Sequence, residues 1–274
     1  EIARDSAFTD IVLTHETTDT AWTISSGEAL DTSARYWWRV IAQNPCGASG
    51  GAPDAATVFV DGFDGAVVAP GQSFTTLALP GDCPVDETPS VIFDDDLESG
   101  ANGWTHGAAN GSVDGWTLGD AANSGTHAWQ LSAPPSGAPN DAWLVSPGIA
   151  LPADLATTSL KFWNAQNLKS GDAGVCNDGA IVEISTNAGA TWTPLANVLT
   201  DPFDGVVSGA FGNPLAEREA WCGDPAAYVH SVVDVQSYAG SNVKFRFRVG
   251  HDRFPHRPGA NWSIDDVKIT GCTE

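Results

Sequence analysis

The 274-residue sequence contains no methionine and few basic side chains, with 12 Lys and Arg against 34 Asp and Glu. Its formal net charge is -22, and a surface of that sign repels nucleic-acid phosphates and anionic lipid headgroups. The sequence also has no apolar run of the ~18 residues that a membrane-spanning helix needs. These absences predict a protein that binds no nucleic acid and does not insert into a membrane.

Recognisable processing and catalytic motifs are also absent. Without a signal peptide or a Met, we expect a processed or truncated piece of a longer protein. His15-Glu16 lacks the second histidine of H-E-x-x-H, and Gly47–Gly51 matches G-x-S-x-G without the helix that a nucleophile elbow requires. Two carboxylates suffice for a glycosidase, but no pair among the acids is singled out. We therefore expect that this chain is not an enzyme.

What the sequence does contain is strand-like alternation, without helical periodicity. In the first 83 residues this alternation is strongest at Tyr36–Asn44, with Ala21–Ile24 before it and Ser73–Ala78 after it. The proline-rich segment Pro80–Pro89 predicts a linker, and strand-like runs such as Gly179–Ser185 then recur to the end. We predict an all-β protein with domains at 1–83 and 84–274, the second a jelly-roll β-sandwich.

Acidic residues mark both ends of the predicted second domain. Val91–Glu98 and Asn261–Cys272 are its first and last predicted strands, and both carry adjacent carboxylates. Such strands suggest a closed sandwich in which the terminal strands are neighbours. Carboxylate oxygens that meet there are the ligands that calcium prefers.

The five cysteines form no C-x-x-C pattern, which favours disulfides in an oxidising compartment over a zinc site. Cys176 and Cys222 lie in two long predicted loops, 166–178 and 201–227, and a bridge between them would hold both insertions. Cys83 and Cys272 flank the terminal strands, which favours Cys83–Cys272 and leaves Cys46 over. The alternative is Cys46–Cys83.

Two further groups of residues are candidates for binding. His251 and His256 share a short segment with an Asp, but no third imidazole or thiolate is evident, so we expect a solvated loop. The 11 Trp have two interpretations, stacking of exposed rings on sugars and packing in the core, and core packing is the more common role. From their strand contexts we assign Trp37, Trp143, Trp163 and Trp192 to the core and Trp116, Trp129 and Trp221 to the surface.

The first domain resembles a known family. Glu1–Phe8, Ala34–Val40 and Ser73–Thr76 look like the later strands of a fibronectin type III domain, of the subtype found beside secreted bacterial enzymes. Two earlier strands of that family have no counterpart here. The resemblance therefore implies an incomplete fibronectin type III-like sandwich with an exposed edge.

The second domain is similar to the MAM-like jelly-roll domains appended to immune-inhibitor-A-type and other secreted bacterial peptidases. The similarity lies in the order of its phrases, which are Phe93–Glu98, Gly103–Thr105, Trp143–Pro147, Leu160–Trp163, Val182–Trp192, Lys244–Arg248 and Trp262–Val267. It implies a structural Ca2+ ion held by Asp96, Glu98, Asp265 and Asp266. The extra acids of Asp94–Asp96 leave the individual ligands open, and the alternative is that each acid hydrogen-bonds a turn.

Together these resemblances imply a non-catalytic C-terminal accessory region of a secreted bacterial protein, expected to be a peptidase. Its role would be attachment, spacing or stability in the extracellular medium or at the cell surface. The expected partners are a polysaccharide or protein surface and the upstream part of the parent chain. The alternative function is a carbohydrate-binding module or an adhesin segment.

Overall fold

The structure is a computed structural model that describes residues 1–19, 21–41, 43–44, 47–48, 72–135, 137–172, 174–224, 227–257, 259 and 261–274. Cys46 and most of the Gly47–Gly51 match to G-x-S-x-G lie outside the described residues. The chain divides into two compact units. The first comprises 1–79 and 83–86, and the second comprises 80–82 and 87–274. The boundary predicted after residue 83 falls within 80–87, where the sequence passes from the second unit to the first and back to the second.

The first unit is built from short strands. They are β1 (Ile2–Ala3), β2 (Ile11–Leu13), β3 (Arg35–Trp38), β4 (Gln43–Asn44), β5 (Gly47–Ala48) and β6 (Gln72–Thr75). Four of them form an antiparallel sheet in the order β2-β1-β3-β6, and β4 pairs with β5. The predicted strand at Ala21–Ile24 is wrong, because these residues form no strand. Its Trp22 instead stacks on His15, with ring centroids 4.3 Å apart.

The second unit contains the remaining strands. They are β7 (Thr88–Asp95), β8 (Thr105–Ala108), β9 (Trp116–Gly119), β10 (Ala128–Ser132), β11 (Asn140–Val145), β12 (Ile149–Ala150), β13 (Thr157–Gln166), β14 (Val175–Cys176), β15 (Gly179–Ser185), β16 (Thr193–Pro194), β17 (Val198–Thr200), β18 (Gly205–Val207), β19 (Glu219–Ala220), β20 (Val229–Asp234), β21 (Asn242–His251) and β22 (Asn261–Thr273). The predicted run Gly179–Ser185 coincides with β15.

Two large sheets form the body of this unit. The seven-stranded sheet has the order β17-β20-β13-β22-β10-β9 with β7 on β22, and the six-stranded sheet has the order β16-β15-β21-β11-β8 with β12 on β21. Strand β21 alternates buried apolar residues at Val243, Phe245, Phe247 and Val249 with half-exposed basic ones. The apolar face meets the other sheet, where the ring of Phe162 lies edge-on to Phe247 at 5.1 Å. This alternation, with a shared apolar core between two sheets, makes a β-sandwich.

The first and last strands of the second unit are antiparallel neighbours, as the sequence predicts, with Asp95 opposite Val267 and Thr88 opposite Thr273. One edge of β22 changes partner along its length, because it pairs with β10 as far as Ile264 and with β7 from Val267 onward. The two residues between, Asp265 and Asp266, therefore lie where β7 ends and β10 begins. Asp266 has a positive φ of 47° at this irregularity.

The two long segments predicted as loops contain regular structure instead. They supply β14, β18 and β19, which form a small third sheet. Strand β14 pairs parallel with β18, with Val175 opposite Val206, and β18 pairs antiparallel with β19. Val207 and Ala220 of this sheet are buried against the main core. Segments 166–178 and 201–227 are therefore packed parts of the sandwich. Buried apolar side chains hold them in place, in addition to the disulfide predicted between them.

Helices are minor in the parts of the chain that the structure describes. The only helical segments there are the 3-10 turns Ser26–Glu28 and Gln236–Tyr238. No described helix has the length and apolar character needed to cross a membrane. The predicted all-β class is confirmed.

Candidate functional site

The four predicted calcium ligands, Asp96, Glu98, Asp265 and Asp266, surround the partner change of β22, and we call this group the acidic junction. The loop 120–127 between β9 and β10 contacts three of them: Glu98, Asp265 and Asp266. The sheet topology thus brings both ends of the second domain to one loop.

Glu98 faces the C-terminal end of that loop. Its Oε1 accepts hydrogen bonds from the backbone N–H groups of Thr126 and His127, at 2.8 and 2.7 Å, and its Oε2 accepts one from the Thr126 hydroxyl at 2.7 Å. These donors favour the charged form. They lower the pKa of Glu98 to about 2, with the Thr126 hydroxyl as the largest contribution.

Asp265 faces the other end of the loop and is fully buried. Its Oδ2 accepts hydrogen bonds from the backbone N–H groups of Asn123 and Ser124, and its Oδ1 accepts one from Asp266 at 2.8 Å. Burial outweighs these donors and raises the pKa of Asp265. Asp266 accepts from the side chains of Asn123 and Ser124, at 2.9 and 2.8 Å.

The chemistry of the acidic junction suits calcium, but the arrangement does not present open ligands. The oxygens of Glu98, Asp265 and Asp266 already accept N–H or O–H donors, and Asp96 Oδ1 accepts from the backbone of Glu98. Among the described residues, these acids do not form a group of three ligand atoms within 4.8 Å. In this geometry each acid holds a turn, and calcium binding here stays a prediction from the sequence.

The cysteines that the structure describes follow the predicted pattern in part. Cys176 and Cys222 form a disulfide with their Cα atoms 5.7 Å apart, which is the predicted pairing. Cys83 and Cys272 are each disulfide-bonded as well. That state is the one that the predicted Cys83–Cys272 bridge requires.

The predicted division of the tryptophans is wrong. Trp116, Trp129 and Trp221, assigned to the surface, are only 2%, 3% and 0% exposed and pack in the core. Trp37, Trp143, Trp163 and Trp192, assigned to the core, are all half-buried. Apolar neighbours in sequence misled the assignment, because a strand in a sandwich turns every second residue outward whatever its neighbours are.

Two of these half-buried indoles share the outer face of the six-stranded sheet with an arginine. The guanidinium Cζ of Arg246 lies 4.5 Å from the ring centroid of Trp192 and 5.8 Å from that of Trp143. We call Trp143, Arg246 and Trp192 the indole face. Neither indole N–H donates a hydrogen bond within the described residues, and neither nitrogen is buried. Both ring edges therefore reach solvent with a free donor.

A charge network fixes the middle of the indole face. Glu183, whose side chain is 1% exposed, accepts hydrogen bonds from Arg246 Nε at 2.7 Å and from Arg218 at 2.8 Å. The neighbouring Arg248 makes a two-point contact with Asp141, with both N···O distances at 2.7 Å. That contact raises the pKa of Arg248, whereas burial lowers the pKa of Arg246. Paired charges hold these arginines still, and Arg246 in turn positions the two rings.

Sequence analysis did not identify the indole face, although the alternation of basic and apolar residues that indicates part of it was present. Lys244, Arg246 and Arg248 alternate with buried Phe and Val in β21, a pattern that places the basic residues outward. Trp143 lies across from Arg248 in the register of β11 and β21, and its ring lies over Gly107, where an added Cβ would approach its Nε1 to 3.2 Å. Trp192 follows a turn, so no alternation along a strand points to it.

The prediction of a solvated histidine loop is also wrong. His251 is the last residue of β21 and is fully buried, and the side chain of His256 is only 5% exposed. Both rings pack beside Asp178, whose carboxylate lies 3.2 Å from His256 Nδ1. Asp178 is far from both histidines in the sequence, which is why sequence analysis did not identify it as a third possible ligand beside them.

Comparisons with known proteins give structural similarity alone, since no protein-family model and no curated protein matches the chain. The K3 and K1 cleaved adhesin domains of Lys-gingipain from Porphyromonas gingivalis W83 are 20% and 18% identical, with TM-scores of 0.40 and 0.39. These matches cover 67% and 66% of this chain and 99% and 97% of the adhesin chains.

A carbohydrate-binding module, TmCBM61, solved with β-1,4-galactotriose, is 13% identical with a TM-score of 0.36. That match covers 64% of this chain and 92% of the module. Similarity at this level identifies neither a family nor a ligand for this chain.

Proposed function

We propose that this chain is a non-catalytic, extracellular binding module that attaches to polysaccharide through the indole face. The observation that carries the proposal is the pair of half-exposed indoles, Trp143 and Trp192, held on either side of Arg246 on one sheet. Flat aromatic surfaces with a few fixed polar groups suit sugar rings, whose C–H faces stack on the indole and whose hydroxyls bind the polar groups.

The surroundings of the face support this role. Arg246 and Arg248 are already paired with Glu183 and Asp141, so their positions are fixed before any ligand arrives, which reduces the ordering cost of binding. The indole nitrogens remain available to donate to hydroxyl oxygens. The Cys176–Cys222 disulfide fits an oxidising, extracellular compartment.

The experiment is retention of the purified chain on insoluble cellulose, xylan and chitin, with collagen as a protein surface. We expect retention on at least one polysaccharide, and we expect Trp143→Ala and Trp192→Ala each to weaken it by ~5- to 150-fold, since loss of a stacked ring costs ~1–3 kcal/mol.

The matched control is Trp163→Ala. Trp163 is also half-buried and lies on the seven-stranded sheet, where its ring packs 5.1 Å from His230. It should bind as the unchanged chain does. Loss of binding in Trp163→Ala alone would place the site on the other sheet, and retention on collagen alone would contradict the proposal.

The narrower function predicted from the sequence, an appendage of a secreted peptidase, stays a prediction. A peptidase domain encoded upstream in the same reading frame would support it. It is compatible with polysaccharide binding, because an accessory module can carry an enzyme to a surface.

A further inference from the structure

We propose that Asp178, His251 and His256 form a binding site for a divalent first-row transition metal ion, for which Zn2+ is the probe. We call these three residues the histidine site. One ligand atom from each lies within 4.8 Å of the others, and this is the one group of its kind among the described residues. The proposal is independent of polysaccharide binding.

The fold places the three residues together from separate segments. Strands β15 and β21 pair antiparallel with Gly179 opposite Gly250, so Asp178 and His251 come next in the same register. His256 returns to them from the segment that follows β21, and its ring centroid lies 4.8 Å from that of His251. Asp178 is also two residues from Cys176, so the disulfide limits its movement.

The distances suit coordination. Ligand atoms 2.0–2.1 Å from a tetrahedral ion lie roughly 3.3 Å apart. The distance between His256 Nδ1 and Asp178 Oδ2 is 3.2 Å. The other Asp178 oxygen, Oδ1, accepts the backbone N–H of Asp252 at 2.8 Å, which orients the carboxylate as an outer contact typically does for a metal ligand.

The histidine site also contains polar atoms that lack partners. Within the part of the chain that the structure describes, both ring nitrogens of the fully buried His251, and Nε2 of His256, have no hydrogen-bond partner. A neutral imidazole has one N–H to donate and one lone pair to give, and burying either without a partner is costly. A metal ion would take the lone pair of one nitrogen of His251 and that of His256 Nδ1, the nitrogen that faces Asp178.

Charge points in the same direction. Asp178 and Asp252 are both buried, and the cation that faces them is Lys169, whose Nζ is 3.5 Å from Asp252. Within the described residues the ion-pair partner of Asp178 is the imidazole of His256, and a dication bound between them would neutralise this buried carboxylate.

The ligand set specifies the class of ion. Two imidazoles and one carboxylate suit zinc and its neighbours, whereas calcium and magnesium prefer an all-oxygen set. Three protein ligands leave a fourth tetrahedral position for water or for Asp252. The segment that carries His256 would then be fastened to the end of the six-stranded sheet.

The test uses the full chain without a polyhistidine tag, stripped of metal and titrated with Zn2+ by calorimetry. We expect one equivalent to bind, and Zn2+ at 100 times its Kd to raise the melting temperature by about 5–10 °C. Co2+ in place of Zn2+ should give the visible absorption of a tetrahedral nitrogen and oxygen site. Side chains that only pack in the core, without binding a metal, would not produce this absorption.

His256→Ala is the main variant, because it changes the segment after β21 and leaves the strands intact. It should lose at least ~100-fold in Zn2+ affinity and lose the Co2+ absorption. His230→Ala, a histidine on the opposite sheet, should keep both. If the unchanged chain binds no Zn2+, or if His256→Ala binds it equally well, the proposal is wrong. Asp178→Asn provides a second test should His256→Ala fold poorly.

Discussion

The acidic junction and the histidine site differ in a way that the sequence conceals. The junction has the denser charge in sequence, yet Glu98 and Asp265 each accept at least three hydrogen bonds. The histidine site has one carboxylate from a remote segment, yet both nitrogens of its buried His251 lack partners among the described residues. Capacity for a ligand therefore depends on which polar atoms are left without partners by the fold, and counting acids along the chain does not reveal this.

The largest expected effect concerns the disulfide beside the histidine site. Replacing Cys176 and Cys222 by Ala opens a loop with a sequence separation of 46, and the unfolded chain then regains the entropy of that loop. We expect a loss of ~4 kcal/mol in the free energy of unfolding, measured by urea denaturation. Zn2+ affinity should fall as well, because Asp178 loses its nearby anchor.

This double variant also tests whether the two regions are independent. The acidic junction lies on β22 and on the loop before β10, away from the disulfide in the sheet order. Backbone amide shifts of Asn123 and Thr126 should therefore stay unchanged. If these amides shifted as much as those beside Asp178, the two regions would be coupled and the comparison would fail.

The next effect separates two adjacent acids of the junction. Asp265→Ala removes a buried acceptor from three backbone N–H groups, and we expect it to destabilise by about 2–3 kcal/mol. Asp266→Asn is the control, because asparagine tolerates the positive φ at this position and the carboxylate that it replaces accepts side-chain donors at the surface, so it should cost less than ~1 kcal/mol. Equal losses in thermal or urea unfolding would show that burial does not distinguish these acids.

A smaller effect tests the calcium prediction. If Ca2+ binds at the acidic junction, it shares carboxylate oxygens with the N–H groups of Asn123, Ser124 and Thr126 and so changes their electrostatic environment. Adding Ca2+ to the metal-free chain should then raise the melting temperature and shift these three amide resonances. Asp265→Asn should abolish both changes. If the unchanged chain shows neither, hydrogen bonds alone hold the junction.

The sequence predicted features that follow from alternation and charge, and it missed those that follow from register. The all-β class, the neighbouring terminal strands and the Cys176–Cys222 bridge were all predictable, because each depends on patterns within or between identifiable strands. The histidine site was not, because Asp178 joins His251 only once β15 pairs with β21 in one register.

The tryptophans show a second limit of the sequence. Trp143 faces outward although both of its neighbours in sequence are apolar, and Trp129 faces inward although Gln130 follows it, because each orientation depends on a one-residue phase within the strand. A shift of one residue exchanges the two faces, so composition near a Trp carries little information about its exposure.

The smallest effect is a pH dependence at Glu98, which sharpens the comparison at its acidic end. The folded-state pKa of about 2 is below the ordinary value of 4.5, so as the pH falls the unfolded chain takes up this proton first. The stability that Glu98 contributes is therefore complete above about pH 4.5 and is lost as the pH falls through 2.

Glu98→Gln removes that titration, so the comparison isolates this one group from other acids that titrate in the same range. The difference in urea midpoint between Glu98→Gln and the unchanged chain should be largest at pH 6 and should shrink steadily toward pH 3. Thr126→Val removes the hydroxyl that contributes most to the low pKa, and it should reproduce part of the same convergence. A difference that stays constant from pH 6 to pH 3 would mean that the donors of the loop stabilise the position of the side chain and not its charge.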